Sequence, residues 1–107
     1  MDWIALTTEE QLETIRQRSA TKTQVIFKHS TRCSVSSMAL NRLNTANLPQ
    51  ADYYLLDLIA FRNISNLIAD QFHVYHESPQ VLVIKNGECI FDESHLGITA
   101  FALEEVV

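Results

Sequence analysis

Two side chains three residues apart, Cys33 and Ser36, form the part of this sequence best suited to covalent chemistry. Sulfur attacks as the thiolate, and free cysteine, with a pKa of about 8.5, falls to roughly 3.5–7.5 where a helix N-terminus or a cation stabilises the anion. The residues around Cys33 offer both. The polar run His29-Ser30-Thr31-Arg32 precedes it, and Val35, Ala39 and Leu43, with Met38 beside them, follow at helical intervals. Cys33 therefore opens a helix, whose first N–H groups and dipole favour an anion, and Arg32 adds a neighbouring cation. Ser36 stands where a dithiol motif carries its second cysteine; its hydroxyl can support a thiolate but cannot resolve a disulfide. A packed core cysteine is the competing reading, because free cysteine is among the most buried residue types. The polar neighbours Thr31, Arg32, Ser34, Ser36 and Ser37 weigh against it.

Other reactive side chains are more isolated. His29 either tunes the thiolate as a nearby cation or has a surface or structural role. Cys89, between Glu88 and Ile90, reads as an inert residue packed on a strand, with a resolving role as the alternative. His29, His73, His76 and His95 follow no zinc-ligand spacing, so no metal is expected. Ser78-Pro79 precedes a strand, but only about 5% of X-Pro bonds in folded proteins are cis, and the dipeptide alone does not fix the isomer.

The elements that must position Cys33 alternate between strand and helix. Residues 3–6 suit a short strand, and Thr7 with Glu10 three residues on offers a capping box for a helix that ends near Ser19. Residues 24–28 are β-branched and aromatic, the pattern of a central strand, and residues 53–58 read as a second buried strand. Phe61, Ile64, Leu67, Ile68 and Phe72 then mark an amphipathic helix. Strands at 81–85 and 88–92 flank Asn86-Gly87, the dipeptide suited to a type I′ hairpin. A last helix from about 99 to 105 is expected to present Phe101, Ala102 and Val106 to the core. Right-handed crossovers between such units build a parallel sheet, to which the hairpin adds an antiparallel edge. The fold class is α/β, a mixed sheet with a C-terminal antiparallel hairpin, flanked by helices.

Composition bounds the rest. At 107 residues, 47% hydrophobic and 20% charged, the chain has the size and apolar content of one globular domain, 1–107. A net charge of −5 with scattered Lys and Arg disfavours nucleic acid. The most apolar stretch, 53–61, is broken by Asp57 and falls short of the roughly 20 residues that span a membrane. Met1-Asp2-Trp3 does not begin a secretory signal, so the expected location is cytoplasmic, where a structural Cys33–Cys89 bridge is not favoured.

Phe27-Lys28-His29-Ser30-Thr31-Arg32-Cys33-Ser34-Val35-Ser36, with His76-Glu77-Ser78-Pro79-Gln80-Val81 and Asn86-Gly87-Glu88, resembles the YtxJ-type proteins of the bacillithiol system, the monothiol bacilliredoxins. The resemblance implies a thioredoxin-like fold, a cis Pro79 facing Cys33, and thiol exchange with protein–bacillithiol mixed disulfides. It further implies bacillithiolated client proteins and a low-molecular-weight thiol as partners. Bacillithiol would be a co-substrate rather than a bound cofactor, with the Ser78–Pro79 backbone pairing with the client segment. Two alternatives stand beside it. Monothiol glutaredoxins use another small thiol, although those that hold iron–sulfur clusters have glycine after the cysteine, where this chain has Ser34. A thioredoxin-like adaptor regulated by modification of Cys33 would not turn over at all.

Overall fold

A computed structural model describes all residues, 1–107. Five strands form one sheet in the order β1-β3-β2-β4-β5: β1 (Ile4–Ala5), β2 (Gln24–His29), β3 (Asp52–Asp57), β4 (Gln80–Lys85) and β5 (Glu88–Ser94). β1, β3 and β2 run parallel, whereas β4 is antiparallel to β2 and to β5. Four helices pack on the sheet: α1 (Glu10–Arg18), α2 (Ser34–Asn44), α3 (Arg62–Phe72) and α4 (Ala100–Val106). The mixed α/β architecture and the closing hairpin agree with the sequence reading. No helix is long and apolar enough to cross a membrane.

The two faces of the sheet follow from strand periodicity. Ile26, Leu82 and Ile84 turn to one side, where they meet Leu12 and Ile15 of α1 and Ile64, Ile68 and Phe72 of α3. Val25, Phe27, Val81 and Val83 turn to the other, against Ala39 and Leu43 of α2 and Leu103 of α4. Asn86 and Gly87 both take positive φ, 51° and 79°, as a type I′ turn requires. A register shift near Val83/Ile84 leaves Ile90 outside the ladder as a bulge, and Ile90 is exposed.

Two local expectations need correction. α1 begins at Glu10, and Thr7 does not cap it; Gln11 Oε1 instead accepts from the Thr7 and Thr8 N–H groups, at 2.8 and 3.0 Å. Gln11 reaches back because its own Nε2 is anchored on the Ala5 carbonyl at 2.9 Å. In α4 the core residue is Leu103, fully buried, while Phe101 is 72% exposed and Ala102 and Val106 are half-buried. Seven residues give too few turns for periodicity to fix the buried face.

Candidate active site

The C-terminal ends of β2 and β3, the N-terminal end of β4 and the C-terminal end of β5 share one edge of the sheet. There the turn after His29 delivers Cys33. Its N–H donates to the Ser30 carbonyl at 3.2 Å, and its own carbonyl accepts from Ser37 N–H at 3.1 Å. Cys33 is the N-cap of α2, in extended backbone with φ −116° and ψ 119°. No side chain caps this end and no acidic residue occupies the first turn, so the positive end of the helix is left for the sulfur. Cys33 is free, half-buried and without a hydrogen-bond partner on its Sγ.

Ser36 has a different task from the one expected of it. It is fully buried, and its Oγ lies 2.6 Å from His29 Nδ1 and 3.0 Å from the Ser30 nitrogen, rather than on the sulfur. The hydroxyl braces the turn that presents Cys33. Burial lowers the His29 pKa below the ordinary 6.5, only partly opposed by Asp57, which disfavours a cation at this position. Its Nδ1 is engaged by Ser36 within the turn that presents Cys33. Thr31 and Arg32 are exposed on the same turn.

The Ser78-Pro79 peptide is cis, and Pro79 is buried at the start of β4. Because Lys28 pairs with Gln80, Pro79 and the Cys33 turn come to the same end of the sheet. Ser78 Oγ is buried with no protein partner, and Pro79 O accepts from His95 N–H at 3.2 Å.

A buried polar clamp that the sequence reading did not identify holds the segment before Pro79. Gln80 Nε2 donates to Tyr75 O at 2.9 Å, and Gln80 Oε1 accepts from Glu77 N–H at 3.4 Å. The Lys28 ammonium, fully buried, reaches Ser65 O at 3.1 Å and His76 Nδ1 at 3.4 Å, and Ser65 Oγ is 3.2 Å from the same nitrogen. Burial, reinforced by Arg62, pushes Lys28 down to about 8. Burial also lowers the His76 pKa, helped by Lys28 and Arg62 and opposed by Glu77, so His76 is a neutral acceptor for the ammonium. The signal was available: in Gln24-Val25-Ile26-Phe27-Lys28, period two puts Lys28 on the same inward face as Ile26.

Cys89 lies at the opposite end of the sheet, paired with Ile84 beside the hairpin. It is free and half-buried, burial raises its pKa, and its Sγ–H points to Phe91 O at 3.3 Å. From Gln24 to His29, β2 alone spans about 16 Å at the usual strand rise. The two cysteines are thus beyond the roughly 7 Å Cα separation that a disulfide tolerates.

The family described as "Monothiol bacilliredoxin BrxC" matches residues 4–103. Among solved structures, a protein of thioredoxin fold proposed to be an oxidoreductase is 30% identical, with a TM-score of 0.84 over 95% of this chain and 90% of that one. Thioredoxin from Fasciola hepatica aligns at 17% identity and a TM-score of 0.68, covering 94% and 92% of the two chains. Thioredoxin from Trypanosoma brucei brucei does so at 12% and 0.68, covering 88% and 79%. At such identities the last two speak for the fold alone.

Proposed function

The chain belongs to the monothiol bacilliredoxin family, and from that premise we propose that it removes bacillithiol from protein mixed disulfides through the Cys33 sulfur alone. A thiol redox function on a thioredoxin fold comes with the family. The observation that carries the finer reading is a half-buried Cys33 at an uncapped helix N-terminus with Ser36, not a second thiol, one turn further on. The Cys33 thiolate attacks the bacillithiol sulfur. A Cys33–bacillithiol disulfide forms as the client disulfide breaks, and the client sulfur leaves as a thiolate that takes a proton from solvent. A second small thiol, itself ionised, then attacks the bacillithiol sulfur, returns the Cys33 thiolate and departs as a small-molecule disulfide. One disulfide is exchanged for another, and the client is left reduced.

The residues around the sulfur fit separate parts of this cycle. The N-terminus of α2 favours the attacking and returning anion. Thr31 and Arg32, exposed on the same turn, meet the incoming small thiol. Ser78, whose Oγ has no partner within the protein, and the backbone beside Pro79 receive the extended client segment. Intact-mass analysis after mixing with a bacillithiolated client tests the reading. Client release with one bacillithiol gained on Cys33, both lost in Cys33→Ser, is the expected result. Modification of Cys33 by free bacillithiol disulfide without client release would instead indicate a non-catalytic adaptor.

A further inference from the structure

The segment that leads into Pro79 has no backbone ladder of its own. From Tyr75 to Ser78 no N–H or carbonyl joins a backbone–backbone hydrogen bond, and such bonding resumes only where Pro79 O accepts from His95 N–H. Its place is set by side chains from two register partners, Lys28 of β2 and Gln80 of β4. Gln80 takes Tyr75 O and Glu77 N–H, at 2.9 and 3.4 Å, and Lys28 takes the His76 ring between them. Lys28 does this at a cost in stability. Its side chain is fully buried, the charge that acts on it is another cation, Arg62, and the ion pairs of the chain, Arg18–Asp52 and Lys22–Asp52, lie at the other end of the sheet. A buried ammonium without a carboxylate destabilises a fold relative to an apolar side chain of similar length. What the ammonium adds is direction.

It donates at once to Ser65 O at 3.1 Å and to His76 Nδ1 at 3.4 Å, so the segment before Pro79 is tied back to the body of α3. Ser65 Oγ, 3.2 Å from the same nitrogen, closes the contact. This tether is separate from the one that holds the sulfur. His29, one residue on from Lys28, turns to the opposite face of β2, where Ser36 of α2 engages it. We infer that Lys28 is a positioning residue for client recognition, holding His76 so that the Glu77-Ser78 backbone stands where an extended client segment can pair with it. This role rests on the exchange proposed at Cys33 and adds which buried group sets the client's side of the site. The carbonyls of His76, Glu77 and Ser78 and the Ser78 N–H have no protein partner, which leaves them for that pairing.

A merely structural lysine would affect every step alike, whereas a positioning one separates them. Lys28→Met should raise KM for a bacillithiolated protein client about tenfold, with kcat within about twofold of the parent. Bacillithiol disulfide offers no extended segment, so its rate of adduct formation on Cys33 should be unchanged, as should alkylation of Cys33 by iodoacetamide read by mass. His76→Leu should reproduce the Lys28→Met effect. His76→Asn, whose side-chain carbonyl can take the place of the ring Nδ1, should restore most of the parent KM, and the Lys28→Met/His76→Leu pair should be no worse than either change alone. The two His76 variants decide the matter if Lys28→Met does not fold. Parent-like KM in His76→Leu, an equal rise in His76→Asn, additive losses in the double variant, or equal slowing with client and with bacillithiol disulfide would overturn the positioning role and leave turnover at Cys33 standing. Failure of the unaltered protein to release the client would overturn both.

Discussion

Ser36 shows how a residue can serve a thiol without touching it. Its oxygen satisfies the Ser30 N–H and its hydroxyl holds His29, so one buried side chain ties the start of the turn before Cys33 to the first turn of α2. Ser36→Ala would strand two buried polar groups at once. Leaving such groups unpaired costs about 1–3 kcal/mol, and about 4–8 °C of Tm per kcal/mol is typical of a domain near this size, so a thermal scan should show a loss of several degrees. Ser36→Cys should behave differently under oxidation. The i, i+3 spacing at a helix start brings Cβ atoms to about 5–6 Å, and the new thiol can displace bacillithiol from Cys33. Mass analysis should then find the internal disulfide, two hydrogens lighter and without adduct, where the parent protein holds one bacillithiol. Cys33 itself was legible because polarity and helical spacing are local properties. The partner of Ser36 was not, because it depends on how the turn between β2 and α2 closes.

Most elements were legible for the same reason. The Val25-to-Lys28 run, the Ile64, Ile68 and Phe72 stripe and the Asn86-Gly87 turn each carry their signal within a few residues. α4 was misjudged because Leu103 is selected by the sheet face it meets, and Thr99, not composition, sets its start by accepting from Ala102 N–H. Lys28 was missed because a strand lysine is ordinarily solvated, whereas here α3 and the segment before Pro79 close over it. That burial makes a prediction about pH. The ammonium faces Ser65 and Arg62 of α3, His76 of the preceding segment and its neighbours Leu56 and Gln80, with no carboxylate among its hydrogen-bond partners. Its folded pKa of about 8 lies below the ordinary 10.5, so between these values the unfolded chain binds more protons. Stability therefore rises with pH across that window, by an amount on the order of 3 kcal/mol from this group. Denaturant midpoints measured from pH 7.5 to 10.5 should climb more steeply in the parent than in Lys28→Met. The variant should be at least as stable near pH 7.5, since it no longer buries a charge, yet should release clients more slowly because His76 loses its tether.

At the scale of the whole molecule the sheet has a chemical end and a structural end. His29, Asp57, Pro79 and the Cys33 turn lie at the first; Gln24, Asp52, the hairpin and Cys89 lie at the second. Asp52 organises the far end. Its carboxylate takes Gln24 Nε2 at 2.8 Å and forms ion pairs with Arg18 at 2.8 Å and Lys22 at 3.0 Å, while Gln24 Oε1 accepts from Tyr54. Burial alone would raise its pKa, but Gln24, Lys22 and Arg18 outweigh that and hold it at about 2. The stability this adds is present above the ordinary 3.8 and is lost as pH falls through about 2. Asp52→Asn should thus be less stable than the parent at neutral pH, with the gap closing between about pH 4 and 2, and its client release at neutral pH should be unchanged.

Cys89 belongs to the same far end, which sets it apart from the cycle proposed at Cys33. Bringing it to Cys33 would require β5 to leave β4 or the Cys33 turn to unfold, because the two sulfurs are anchored at opposite ends of the ladder that joins β2, β4 and β5. Its thiol also donates to Phe91 O, and burial disfavours its ionisation, so it is a poor attacking group on the disulfide at Cys33. Cys89→Ser should accordingly keep nearly full client-releasing activity while Cys33→Ser has none. Oxidation of the parent by bacillithiol disulfide should add a single bacillithiol, at Cys33, and leave Cys89 open to alkylation once the chain is unfolded. An intramolecular Cys33–Cys89 bridge in the monomer, together with loss of turnover in Cys89→Ser, would contradict both the separation of the two ends and the one-cysteine cycle built on it.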